Sequence, residues 1–310
     1  MKIEKILVHV DPDALSETLL NKVKRLAQSR KVLVELFYCG YNHALHNAYR
    51  FDAKSEQHAI SGFLNDKEEK LAKVSDLLVS EGIHAGYDVT WCRNIAEGVI
   101  RKAQRMQADL LVVEMELGTQ TAGYLLSQGQ WQLIAQCPIP VLITRGDEWA
   151  SVHPRLASAV DPFHQCDEPA LLDHEIVSVS RYLAASLSAE LHLVHCFSSM
   201  PHSAIFNEHL TLDYEQFHKD LRVQHSNRLN QLIASEKLQE IVPHLLEGEV
   251  QEVIPDLVSS HSIDMLVMGT LARGFLDRLL VGSTVERVIN RTTCDLLLVK
   301  QPGFFSPITE

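Results

Sequence analysis

The chain has 310 residues, of which 46% are hydrophobic and 22% charged, and its formal net charge is −12. This length fits two domains of about 150 residues each. Because Lys and Arg form no cluster, the acidic balance excludes general nucleic-acid binding and attraction to an anionic membrane. The first apolar run ends at Asp11 and no run approaches 18 apolar residues, so we expect a cytoplasmic protein without a signal peptide or membrane span.

The first half alternates short apolar strands with longer helical patterns. Strands rich in consecutive Val, Ile and Leu are predicted at 4–10, 32–39, 86–92, 109–114 and 140–144. Apolar residues at helical spacing predict helices at 14–29, 54–81 and 95–107. Continuous apolar strands are typical of a parallel sheet buried on both faces. The long connection 40–53, rich in small, polar and aromatic residues, is expected to be a functional loop.

The second half repeats the first. The segments ILVHVDP (6–12) and LASAVDP (156–162) correspond, as do VLVELFYC (32–39) and ELHLVHCF (190–197). The last strands, 138–145 and 293–300, correspond at an offset of 155. Helices are predicted at 169–188, 213–236, 250–261 and 283–291, and a second long loop at 198–212. The sequence therefore predicts two tandem Rossmann-like α/β domains, 1–147 and 151–303, followed by a tail at 304–310.

The second half also carries a candidate phosphate-binding segment. Strand 264–268 is followed by Gly269, and Gly282, Ser283 and Thr284 open the next helix. The free N–H groups and positive dipole of a helix N-terminus favour a phosphate, and ligands of α/β sheets lie at the carboxyl ends of the strands. Arg273 and Arg278, on the intervening loop, are candidates to pair with phosphate oxygens.

The spacing Gly269-x2-Ala272-x9-Gly282-Ser283 resembles the G-x2-G-x9-G-[S/T] signature of ATP-binding members of the universal stress protein family. The likeness covers nearly the whole chain and extends to the Val-Asp-Pro after the first strand. It implies tandem domains, each with a five-stranded parallel sheet of order 3-2-1-4-5 and an adenine nucleotide alpha hydrolase-like fold. It also implies that the two domains pack through their fifth strands as a pseudo-dimer, with further homodimerisation left open.

The resemblance also implies a nucleotide site, with ATP as ligand and Mg²⁺ as its partner. Asp161, at the end of the first strand of the second copy, would contact the nucleoside, and backbone around Val194 to Cys196 would frame the base. The full set of implied nucleotide-binding residues is Asp161, Val194, Met268, Gly269, Ala272, Arg273, Gly282, Ser283 and Thr284.

Two departures from the signature weaken the nucleotide hypothesis. Ala272 stands where the family has its second glycine, which matters if that position needs positive φ or close phosphate approach. In the first copy the positions equivalent to Gly269, Ala272, Gly282 and Ser283 hold Glu114, Leu117, Ser127 and Gln128. Because the Glu114 carboxylate would repel a phosphate, we predict no ATP binding through this loop, with Asp11 a remnant of the fold.

The cysteines and histidines indicate no further chemistry. The six cysteines include no CxxC pair and lie mostly in or beside apolar strands, as reduced structural thiols of a cytosolic protein do. The sixteen histidines include two groups near cysteines, but neither group reaches four ligands at a standard spacing, so no metal site is predicted. A GxSxG elbow and a Walker loop are absent.

Three function classes remain open. The first is a stress-response protein that binds an adenine nucleotide or similar small ligand in its second domain. The second is an interaction protein that has lost nucleotide binding and accepts an apolar or lipid-like molecule or a protein partner. The third, a nucleotide hydrolase or transferase, rests on fold analogy alone. Since no catalytic base or metal carboxylate is identified, no enzyme is predicted beyond slow ATP hydrolysis.

Overall fold

The computed structural model describes residues 2–28, 32–49, 51–115, 127–145, 147–163, 171–198, 214–270 and 283–309, without the side chains of 214, 215 and 283. The chain forms two compact units that join between Trp149 and Ala150. Residues 303–310 belong to the first unit, with residues 2–149. In the parts of the chain that the structure describes, no helix is long and apolar enough to cross a membrane.

The first domain has a parallel sheet covered by helices. Its strands are β1 (Lys5–His9), β2 (Leu33–Gly40), β3 (His84–Trp91), β4 (Leu110–Glu114) and β5 (Val141–Thr144). Its helices are α1 (Glu17–Gln28), α2 (His43–Tyr49), α3 (Ala53–Ser80), α4 (Ile95–Met106) and α5 (Gln128–Gln136). β1 pairs in parallel with β2 and β4, β2 pairs with β3, and β4 with β5. The resulting order 3-2-1-4-5 is the predicted one.

The second domain repeats this topology. Its strands are β6 (Arg155–Ala159), β7 (Glu190–Phe197), β8 (Ile241–Glu247), β9 (Met265–Gly269) and β10 (Asp295–Val299). Its helices are α6 (Leu171–Leu187), α7 (Tyr214–Ser235), α8 (Val250–Ser260) and α9 (Ser283–Arg291). β6 pairs in parallel with β7 and β9, β7 with β8, and β9 with β10. The tandem Rossmann-like fold is thus confirmed in both copies.

The central strands form the core of each domain because their side chains are apolar on both faces. In β1, Ile6, Leu7 and Val8 are fully buried, and in β9 so are Met265, Leu266 and Val267. The outer strands β3 and β8 are only half-buried. Burial therefore decreases from the central strands to the outer ones. The predicted ligand cleft lies at the carboxyl ends of the first and fourth strands of each copy, which are among the most buried.

One helix lies where a loop was expected. The predicted loop 40–53 contains α2, a two-turn helix in which no residue is buried. Asn42 begins it by accepting a hydrogen bond from Leu45 N with its side chain (3.0 Å). Because α2 has no buried apolar face, the periodicity that identifies amphipathic helices is missing from its sequence. The loop predicted at 198–212 lies, except for Ser198, outside the described residues.

Candidate functional site

Asp161 lies at the carboxyl end of β6, as the repeat predicts. Its backbone N–H donates to Asp173 Oδ1 of α6 (3.1 Å), and its own Oδ1 accepts a hydrogen bond from Phe163 N (3.3 Å). Asp161 is exposed, whereas Asp173 is buried. The buried carboxylate therefore fixes the backbone of the turn, and the exposed one is presented at the edge of the sheet. Asp173 was not singled out in the sequence analysis.

A group of aromatic rings flanks this turn. His195 of β7 donates from Nδ1 to Val160 O (3.2 Å), so its Nε2 accepts a hydrogen bond from His225 Nδ1 of α7 (2.7 Å). The Phe163 ring lies 4.1 Å from the His225 ring and is nearly parallel to the His195 ring at 6.0 Å. Phe197 stacks on the His225 ring at 4.7 Å. We call Phe163, His195, Phe197 and His225 the ring cluster.

Burial favours the neutral form of both histidines of the ring cluster. Burial lowers the pKa of His195 and of His225, although the nearby Asp161 carboxylate acts in the opposite direction on both. The guanidinium of Arg228, on α7, lies over the Phe163 ring at 5.8 Å and is exposed. The edge thus combines one carboxylate, one guanidinium and several aromatic faces. Neither His225 nor Phe163 was predicted, because α7 and the turn after β6 are far apart in the sequence and come together only when the domain folds.

Two predicted site residues lie inside the sheet. Val194 is 1% exposed, and its carbonyl accepts a hydrogen bond from Val160 N (2.9 Å). Met268 is buried in β9 beside Leu298 of β10. Both residues therefore lie beneath the edge that Asp161 occupies, and the Val194 carbonyl is already used to join β6 and β7.

Gly269 ends β9 under a side chain of α6. A Cβ atom at this position would lie 2.5 Å from Leu172 Cδ2. The glycine is thus needed for close packing of Leu172 against the strand end. The next residue, Thr270, continues the sheet, because its N–H donates to Val299 O (2.9 Å).

The remaining motif residues are described only in part. Ala272, Arg273, Arg278 and Gly282 lie outside the described residues. Helix α9 begins at Ser283, whose side chain is not described, and Thr284 in its first turn is half-buried. A helix N-terminus follows the predicted loop, as the phosphate hypothesis requires.

The equivalent edge of the first domain is occupied by ion pairs. Lys67 of α3 is 5% exposed, and its Nζ contacts Asp11 Oδ1 (2.7 Å) and also pairs with Asp13. Lys70 pairs with Asp13 (2.6 Å) as well. The Lys67 ammonium lies 4.8 Å from the Tyr38 ring and 5.7 Å from the Phe63 ring. The aspartate that corresponds to Asp161 is therefore bound by a buried lysine of its own domain.

The first domain also differs at the positions that correspond to the predicted phosphate-binding segment. The Glu114 carboxylate, at the end of β4, accepts a hydrogen bond from the Ser16 hydroxyl. Ser127 caps α5 by accepting from Gln130 N (3.2 Å), and the Gln130 side chain accepts from Ser127 N (2.9 Å). This capping box satisfies N–H groups that a phosphate would otherwise bind. Leu117 lies outside the described residues.

A second histidine group lies at the opposite end of the second sheet. His192 Nδ1 and His244 Nε2 are 2.8 Å apart, and the His261 ring meets the His244 ring edge-on at 4.8 Å. Burial lowers the pKa of His192, and burial with the neighbouring histidines lowers that of His244 to about 4. Within the described ranges, no group of three or more His, Cys, Asp or Glu residues could hold a metal ion.

The topology and the Asp-Pro turn after each first strand define a class: tandem Rossmann-like α/β proteins. The sequence model of the "Universal stress protein family" matches residues 2–145 and 157–300. The chain therefore belongs to the universal stress protein family and carries two copies of the family domain. It is a stress-response protein of that family.

Relatives support the tandem arrangement. The chain is 26% identical over 310 residues to the universal stress protein E homolog of Haemophilus influenzae, covering 97% of this chain and 98% of that protein. It is 24% identical over 311 residues to universal stress protein E of Salmonella typhi, covering 98% and 96%. The structure of a putative universal stress protein from Pseudomonas aeruginosa has a TM-score of 0.74 and 21% identity, covering 96% and 94%. At that identity the structural likeness supports the fold alone.

Proposed function

We propose that the second domain binds an adenine nucleotide such as ATP, or a similar small ligand, at the edge formed by Asp161 and the ring cluster. The observation that carries this proposal is the contrast between the two equivalent aspartates. The Asp11 carboxylate pairs with the Lys67 ammonium at 2.7 Å. Among the described residues, the Asp161 carboxylate instead accepts a hydrogen bond from Phe163 N. An exposed carboxylate at a switch point can accept hydrogen bonds from ribose hydroxyls.

The ring cluster fits a purine base. Phe163 is half-buried and lies next to two uncharged imidazoles, and aromatic faces stack well on a planar base. Arg228 supplies a guanidinium at the exposed side of Phe163. The phosphates would lie toward Gly269 and the N-terminus of α9, where Gly282, Ser283 and Thr284 follow the family signature and Arg273 supplies a positive charge. Mg²⁺ would enter as the partner of the phosphates.

Calorimetric titration of ATP into the full chain, with and without Mg²⁺, tests this function. We expect one site per chain, with affinity reduced at least about tenfold, or roughly 1.4 kcal/mol, by Asp161→Ala and by Gly282→Glu. The matched control is Asp11→Ala, which alters the equivalent aspartate of the first domain and should leave binding unchanged. Absence of heat and of any shift in melting temperature at millimolar ATP would exclude this function.

The second candidate is an interaction protein whose cleft takes an apolar or lipid-like molecule. Two observations favour it: the space above Gly269 is filled by Leu172, and Ala272 replaces the family's second glycine in this chain. Native mass spectrometry of the purified chain distinguishes the two candidates. A co-purified apolar ligand would add its mass to that of the chain, and this added mass would remain when ATP is supplied in excess. For either candidate we propose a cytoplasmic location, since Cys39, Cys92 and Cys196 are present as thiols.

A further inference from the structure

Two cysteines from distant parts of the sequence lie together in the first domain. Cys39 is in β2, opposite Thr90 of β3, and Cys92 directly follows β3. The backbone N–H of Cys92 donates to Gly40 O (3.1 Å), which extends the pairing of the two strands past both cysteines. Because Cys92 lies two residues beyond Thr90, its side chain points to the same face of the sheet as that of Cys39.

Helix α4 packs over the two thiols, and its residue that faces them is Gly98. A Cβ atom on Gly98 would lie 2.5 Å from Cys39 Sγ, 3.1 Å from Cys92 Cβ and 3.3 Å from Cys92 Sγ. Both sulfur atoms therefore occupy the small space that the missing side chain leaves. Burial, together with the neighbouring Cys92 thiol, raises the pKa of Cys39 to about 12.

The two thiols differ in access. Cys39 is 2% exposed, whereas Cys92 is half-buried and its Sγ donates to Asn94 O (3.2 Å). A small oxidant can therefore reach the Cys92 sulfur first. Cys39 is positioned behind it, which is the arrangement of a reactive thiol and a resolving thiol.

We propose that Cys39 and Cys92 form a site of reversible oxidation by hydroperoxides, independent of nucleotide binding in the second domain. The Cys92 thiolate attacks the outer oxygen of the hydroperoxide, giving Cys92 sulfenic acid and, with one proton, the alcohol or water. The Cys39 sulfur then attacks the Cys92 sulfur, and the sulfenic hydroxyl leaves as water with the Cys39 proton. In total, two thiols and one hydroperoxide give one disulfide, one alcohol or water and one further water. A dithiol reductant reverses the step.

The second domain provides a matched control. Cys196 lies in β7, the strand of the second copy that corresponds to β2, and burial alone raises its pKa to about 12. Its strand neighbour is Leu246 of β8. Cys196 is half-buried, as Cys92 is, but has no thiol beside it among the described residues, and we expect it to form no such disulfide.

The experiment treats the full chain with hydrogen peroxide, alkylates the remaining thiols and maps the peptides by mass spectrometry. We expect a Cys39–Cys92 crosslink that has lost two hydrogen atoms, that dithiothreitol reverses, and that Cys196→Ser retains. Cys39→Ser should instead leave Cys92 as a sulfenic acid that a dimedone probe labels, and Cys92→Ser should abolish both products.

The wild-type chain alone can overturn the proposal, so a misfolded variant does not prevent a decision. The proposal is wrong if the wild type shows irreversible sulfinic acid at Cys92 without a crosslink. It is equally wrong if both thiols remain fully alkylated after oxidation, or if Cys92 becomes linked to a cysteine other than Cys39.

Discussion

In the first domain the aspartate that follows β1 is held by Lys67, whereas in the second domain the aspartate that follows β6 faces a cluster of neutral rings. The two domains share one sheet order, and both turns begin with Val-Asp-Pro. The difference arises from one helix in each copy. Helix α3 contributes a buried lysine to the edge, and α7 contributes His225 and Arg228.

This comparison shows how equivalent strand ends of two repeats can acquire different contacts without a change of fold. The first domain fills its edge with ion pairs, a carboxylate at the phosphate position and a capping box. Each is a local contact made by side chains that the second domain does not repeat at the described positions. The scaffold is thus kept by burial of the strands, and the site diverges through residues at the strand ends.

The largest expected effect concerns the thiol pair, which belongs to the first domain. Gly98→Ala would place a methyl group 2.5 Å from Cys39 Sγ, so we expect a loss of about 1–3 kcal/mol in the free energy of unfolding. Gly62→Ala, in the exposed middle of α3, meets nothing within 4 Å and should stabilise the chain by up to about 1 kcal/mol. Urea unfolding measures both variants. Equal effects of the two variants would contradict the packing at Gly98.

The next largest effect is expected from the ion pairs that Lys67 and Lys70 make at the strand ends of the first domain. The side chain of Lys67 is 6% exposed, and that of Lys70 is 39% exposed. Because Lys67→Met loses two ion pairs at a buried position, we expect a loss of about 1–2 kcal/mol in the free energy of unfolding, measured by urea denaturation. Lys70→Met should cost much less, since exposed pairs contribute little. A larger cost for Lys70→Met would contradict this account of the edge.

The smallest effect is a pH dependence in the second domain. Since the pKa of His244 falls from 6.5 when unfolded to about 4, the unfolded state binds more protons between these values, and stability falls as pH decreases through this range. His192 and His261 pack on His244, and Glu190 of β7 and Arg155 of β6 lie beside His192. His244→Gln should lessen the fall in Tm between pH 7.5 and 5 by about 2–4 °C, roughly 1 kcal/mol.

The control for this prediction is His58→Gln, which alters an exposed histidine of α3 in the first domain. It should leave the pH dependence of the melting temperature unchanged. If both variants show the wild-type fall in melting temperature, the buried histidine group does not cause the acid sensitivity.

Much of the fold could be predicted because the continuous apolar strands and the internal repeat are both clear in the sequence. Each observed first-domain strand begins and ends within two residues of its predicted span, since continuous Val, Ile and Leu mark buried parallel strands. Helix α2 was missed because its seven residues bury no side chain, so no apolar stripe appears in the sequence. Helix α1 begins at Glu17, later than the predicted residue 14, because the Ser16 hydroxyl accepts from Leu19 N.

The candidate site could be predicted less completely. Asp161 and Gly269 could be named because a repeat and a glycine spacing are visible along the chain. The contacts of Lys67 with Asp11, of His225 with His195 and of Cys39 with Cys92 join residues 56, 30 and 53 positions apart. Such contacts depend on which helix face turns toward the sheet edge, and that is decided by packing, so a linear pattern does not record it.

The most direct test of the central claim locates the nucleotide on the chain. Photolabelling with 8-azido-ATP, followed by peptide mapping, reports which domain carries the label. We predict label on peptides of residues 150–302, prevented by excess ATP and by Asp161→Ala and retained in Asp11→Ala. Label on peptides of residues 2–149, or label that excess ATP does not prevent, would contradict the account.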